Sequence, residues 1–140
     1  MRDYTRKAKI KDSNEWVIGY HVYVDYLDKH YILASEKTHD GFSGMLAMKQ
    51  YEVDGDTICN PTGLTDKNGN KIWENDVVKD DRGNIYKAFW QERYYQFSWI
   101  CVKSDLLPIG AKWDLWSLSR NGNLEVIGNI FDNADLLKGE

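Results

Sequence analysis

Three histidines, His21, His30 and His39, are the side chains in this 140-residue sequence best suited to bind a metal or move a proton, and they follow one another at nine-residue intervals. Zinc sites draw their ligands in pairs roughly two to five residues apart, which brings two side chains to one point; a spacing of nine gives no such convergence. Neither Cys59 nor Cys101 has a CxxC partner, and both sit in or beside apolar runs. They read as free, buried thiols of a reducing compartment. Asp66, Asn68 and Asn70 alternate like the first ligands of a calcium-binding loop, but the glycine and closing glutamate of such a loop are replaced by Lys71 and Val77. No metal ligand is therefore expected. Glu74 and Asp76 form the one carboxylate pair that invites acid–base chemistry. On a strand they share a face with no sign of a cleft, so Asp76 is read as an acceptor for turn amides and Glu74 as solvated. No nucleophile elbow or phosphate-cradling glycine loop occurs. No catalytic residue and no cofactor are expected, and the protein is read as non-enzymatic.

Aromatic side chains are the unusual resource. With 42% hydrophobic residues, including six Trp, nine Tyr and four Phe, the chain can build a core without a disulfide or metal. Tyr95, Phe97 and Trp99 share a strand face, with Tyr86 and Trp90 on a neighbouring run. These rings are expected to be core, with an occasional exposed one offering a surface to a protein partner or to another copy of the chain. The net charge of −4 opposes binding to phosphate backbones. Arg2, Arg6, Lys7, Lys9 and Lys11 nevertheless crowd the N-terminus, which is read as a solvated segment, with nucleic acid as the alternative partner. No apolar run approaches the roughly 20 residues that span a bilayer, and the first residues do not resemble a signal peptide. A cytosolic protein without a membrane partner is expected.

The patterning that would position these residues is β. In WVIGYHVYVDYL, Trp16, Ile18, Tyr20, Val22, Val24 and Tyr26 fall on one face and Val17, Gly19, His21, Tyr23 and Asp25 on the other. A turn at Asp28-Lys29-His30 leads to a second strand over 31–34. Residues 35–44 read as a loop; MLAMKQYEV fits a strand or a short helix, strand being preferred, and Asp54-Gly55 a tight turn with glycine at positive φ. Asn68-Gly69 is a strong hairpin signal. Downstream, DVVKD, NIYKAFWQ, YYQFSWICV, WDLWSLS and LEVIGNI read as five short strands. Turns fall at Arg82-Gly83-Asn84 and Asn121-Gly122-Asn123, and Pro108-Ile109-Gly110 breaks the chain between the third and fourth runs. Such spacing suggests closure into a small SH3-like barrel, which removes exposed edges. The expected architecture is mainly β: an N-terminal β-rich unit over 1–60 and the barrel over 61–140, with a helical turn at the end capped by Asn133 and carrying Leu136 and Leu137.

Two segments are more specific than their composition: TGLTDKNGNKIWENDVV over 62–78 and LEVIGNIFDNADLL over 124–137. Together they resemble the two hallmark segments of the YopX family, a TGL-x-D-x-NG turn leading into an EGD-like strand and a closing VIGNI with an acidic-leucine tail. WVIGYHV and HYIL resemble the family's opening hairpin more loosely. Asn75 stands where family members carry glycine, a replacement that tolerates positive φ. On this resemblance Gly63, Asp66, Asn68, Gly69, Asp76 and Gly128 form the signature and are read as structural. The resemblance implies a phage or prophage origin and a β-rich fold, and it supplies no activity.

Overall fold

Strand formers separated by turn residues give eleven strands and one short α-helix among the residues that the computed structural model describes, 2–35, 48–120 and 122–137. The mainly β expectation holds. His39, the loop at 36–44, the first residues of MLAMKQYEV and Asn121 lie outside the described residues. The chain divides into two units, Met1–Asn60 and Pro61–Glu140.

In the first unit, β1 (Arg6–Lys9), β2 (Trp16–Val24), β3 (Lys29–Ser35) and β4 (Met48–Val53) form an antiparallel sheet in that order. The basic N-terminus is thus not a solvated arm: four of its residues make β1, and Ala8 is fully buried. Beyond β1 the chain turns back on β4, where Lys11 N donates to the Glu52 carbonyl (3.0 Å) and Asp54 N to that of Lys9 (2.9 Å). The sheet therefore curls around a core of Ala8, Ile32 and Val53, with Val17, Tyr51 and Ile58 packed against it. Gly19 lets it curl so tightly, because a Cβ there would run into the Leu33 carbonyl oxygen of the adjacent strand. The first hairpin turns earlier than expected: a 3-10 turn over Asp25–Leu27 ends at Asp28 with φ 50°, and Lys29 and His30 already belong to β3. Asp54-Gly55 also differs from expectation. Asp54 caps a 3-10 turn, Gly55–Thr57, and the glycine supplies room rather than positive φ: a Cβ would lie 2.6 Å from Cδ2 of His30.

In the second unit, β5 (Pro61–Thr65) and β6 (Lys71–Trp73) pair as a ribbon. β7 (Asp76–Lys79), β8 (Ile85–Gln91), β9 (Gln96–Lys103), β10 (Lys112–Asp114) and β11 (Glu125–Asn129) form an antiparallel sheet ordered β10-β9-β8-β7-β11. Its core holds Ile72, Val78, Tyr86, Ala88, Trp99, Cys101 and Leu124. The expected closed barrel does not form, since the ladder ends at β10 and β11. The physical reason lies in WDLWSLS. Asp114 accepts a bond from Ser117 N (2.7 Å) and caps helix α1 (Leu115–Ser119), so the run makes three residues of strand and then leaves the sheet.

Two turns in this unit share one design. Asp66 accepts from the amides of Asn68 and Asn70 (both 2.9 Å), and Gly69 N donates to the Asp66 carbonyl. Asp80 accepts from the amides of Arg82 and Asn84 (3.0 and 2.9 Å), and Gly83 N donates to the Asp80 carbonyl. Both glycines sit at positive φ, 83° and 86°. The shared pattern is D-x-x-G-N, a short repeat in which a carboxylate replaces the missing backbone acceptors of a tight turn. Nothing lies within 4 Å of a Cβ built on Gly69, so Gly69→Val tests backbone conformation alone. It should lower stability by about 2 kcal/mol, because a β-branched residue resists the left-handed region. An unchanged melting temperature would refute this reading of the turn.

Candidate interaction surface

Alternation along β2 and its pairing with β3 sort the side chains of the first unit into two faces. Tyr20 pairs with Leu33 and Val22 with Tyr31, and those residues in turn pair with Gln50 and Glu52 of β4. Cross-strand partners share a face, so Ile18, Tyr20, Val22, Tyr31, Leu33 and Met48 lie opposite the Ala8–Ile32–Val53 core. This outer face is not covered: Ile18 is 50% exposed, Tyr20 54% and Val22 41%. The bulkier face of WVIGYHVYV thus points to solvent and the lighter one, with Val17 and Gly19, points inward.

The borders of this face are charged. Lys7 and Lys9 of β1 hold their ammonium groups 4.7 and 5.6 Å from the Trp16 ring centre. At the opposite side, Glu52 bridges Lys11 (2.9 Å) and Lys29 (3.3 Å). The bond and charge of Lys11 draw the Glu52 carboxyl below its ordinary value, and Glu52 raises Lys11 in return. An apolar centre with a polar, paired rim is the composition of a docking surface.

The second unit builds the six signature residues into its own framework. The segments 62–78 and 124–137 are bonded to each other: Val126 N donates to Asp66 Oδ2 (3.1 Å), Lys67 N to the Leu124 carbonyl (2.9 Å) and Ile130 N to the Asn75 carbonyl (3.1 Å). Asn68 and Gly69 lie in the Asp66 turn, and Gly63, at φ 88°, sits within β5. Asp76 is buried and accepts from Trp73 N (2.8 Å), while Asn75 holds φ 71°. Gly128 follows a register shift in β11, and a Cβ there would collide with the Asn133 side chain. Burial pushes the Asp66 carboxyl up, but the amides of Val126, Asn70 and Asn68 outweigh it and hold it below its ordinary value.

A cavity of about 500 Å³ opens in this unit beside Leu107, Trp113 and Leu118, with Asp80, Asn84 and Tyr86 on its polar side. Those polar groups bond one another: the Tyr86 hydroxyl (3.0 Å) and Asn84 Nδ2 (2.9 Å) both donate to Asp80 Oδ2. Burial and the Asp80 carboxylate push the Tyr86 hydroxyl up, so it stays protonated. Of the aromatic rings, Trp99 and Tyr86 are core, whereas Trp90, Tyr94 and Tyr95 are exposed around the β8–β9 turn, with Tyr95 at φ 51°. Cys59 and Cys101 are free and buried. Among the described residues no group of three His, Cys, Asp or Glu side chains is placed to hold a metal ion, and no helix is long and apolar enough to cross a membrane.

The YopX protein family model matches residues 7–138, reaching from β1 through the last helical turn and taking in the first unit, where the likeness of single motifs is loosest. No curated protein matches the chain. With its two hallmark segments bonded together and nearly its whole length matched, the chain belongs to the YopX family.

Proposed function

We propose that the chain is a non-enzymatic interaction module, a phage or prophage accessory protein of the host cytoplasm, whose first unit docks a protein partner or a second copy of itself. The observation that carries this reading is the exposed row Ile18, Tyr20 and Val22 beside Leu33, Tyr31 and Met48. Apolar surface left in water is worth about 25 cal/mol per Å² when a partner covers it. The large aromatic ring of Tyr20 suits the centre of such a contact. Light scattering coupled to size exclusion should show a defined oligomer, or a pull-down from lysogenic host lysate should show a captured protein. The double variant Ile18→Lys/Tyr20→Lys should abolish either one while keeping its melting temperature, since both side chains face outward. A strictly monomeric protein that captures nothing would overturn the reading.

Lys7 and Lys9 beside Trp16 support a second reading, single-stranded nucleic acid stacked on the same face. Binding of a labelled oligonucleotide should then weaken steeply with salt, and no shift at low salt would end it.

A further inference from the structure

On the inner face of the first sheet, Arg6, His21 and His30 come from three adjacent strands and form one hydrogen-bonded chain. Arg6 Nη1 lies 3.0 Å from His21 Nδ1, and His21 Nε2 lies 2.8 Å from His30 Nδ1. A guanidinium only donates, and that fixes the direction of the whole chain. His21 accepts at Nδ1, carries its proton on Nε2 and donates to His30 Nδ1, so the proton of His30 is on Nε2. The two rings stack with centres 5.1 Å apart, and Tyr23 meets His30 edge-on at 4.6 Å. Both imidazole lone pairs are thereby occupied by a donor. A further proton on either ring sets N–H against N–H and breaks one of the two bonds.

We propose that Arg6, His21 and His30 form an acid-sensitive latch that ties β1, β2 and β3 together at neutral pH and lets go when one imidazole takes up a proton. Arg6 is the charged group bonded directly to an imidazole of the latch. From β2, the Tyr23 hydroxyl is bonded to Asp28 (2.8 Å). The cavity beside His30 carries Lys9, Lys11 and Lys29 against Asp12, Asp28, Glu52 and Asp54, with Glu52 bonded to two of the lysines. Burial first, then Arg6 and His30, push the His21 imidazole below its ordinary value of 6.5. A base held neutral by the fold contributes stability that is full above 6.5 and is lost as pH falls from there through the folded-state value. The latch thus opens in mildly acidic solution, and it requires no partner.

Long-range ¹H–¹⁵N spectra of the histidines in the full chain test it. At pH 7.5 both His21 and His30 should appear as the single tautomer protonated at Nε2. Acidification should shift the amides of β1 to β3 together with the His21 titration. Arg6→Ala should raise the His21 midpoint by about one unit, a roughly tenfold gain in proton affinity. An Arg6 that merely packed would leave that midpoint in place. Mixed tautomers at pH 7.5, or an Arg6→Ala midpoint at or below that of the native chain, would overturn the latch.

Discussion

Gly19→Ala should unfold the first unit almost as completely as Gly19→Val. The first side-chain carbon is already the obstacle: the Leu33 carbonyl oxygen occupies its place, the Leu33 carbonyl carbon would lie at 2.9 Å and the Ile32 Cγ2 at 3.0 Å. Backbone of a paired strand cannot step aside without giving up the Tyr20–Leu33 register, so the cost should exceed about 3 kcal/mol, at the upper end for overpacking. The extra methyls of valine add little to a structure that the first carbon has already prevented. Loss of dispersed amide signals from β1 to β4 in both variants is the expected result. A Gly19→Ala protein with native melting temperature would show that β2 and β3 do not approach so closely.

Asp66→Ala should cost the second unit about 3 kcal/mol or more, read as a lowered denaturant midpoint. It removes the carboxylate that accepts from the amides of Asn68, Asn70 and Val126, and a hydrogen bond to a charged group contributes about 1.5–3 kcal/mol. Asp66→Asn separates two contributions. Its single carbonyl oxygen can serve the turn or Val126 but not both, so it should fall between the native chain and the alanine variant. Equal midpoints for all three would mean that the turn closes without its carboxylate. The same carboxylates set the behaviour in strong acid. Asp66 and Asp80 are both held below their ordinary 3.8, Asp80 against its own burial by bonds from Asn84, Tyr86 and Arg82. Their contribution is full above that value and is lost as pH falls through the lower folded-state values.

Strand existence was legible in the sequence because alternation and turn residues act locally, as in WVIGYHVYV or at Asn68-Gly69. Which face of β2 is buried was not. Periodicity separates Ile18, Tyr20 and Val22 from Val17 and Gly19, but the choice between the faces rests on how closely Gly19 approaches β3. The nine-residue spacing of His21 and His30 suggested no convergence and so hid their contact, which depends on the register that pairs Tyr23 with His30 and His21 with Ile32. α1 was missed although Asp114 stood as a cap in plain view, because WDLWSLS satisfies both periods over so few residues. The twin D-x-x-G-N turns were visible as turns but not as copies. Their likeness lies in how each carboxylate is used.

The bond from Val126 to Asp66 spans sixty residues, and β11 completes the free side of β7 rather than extending the sheet beyond β10. During synthesis β7 is therefore made early and finished late. A released chain that ends at Gly122 can pair β7 with β8, but it carries β7 as an open edge and Asp66 without one of its donors. Such an edge is a template for any passing strand. Premature termination just before Leu124 should thus yield an aggregation-prone released chain, whereas a chain that continues through Asn129 closes the ladder.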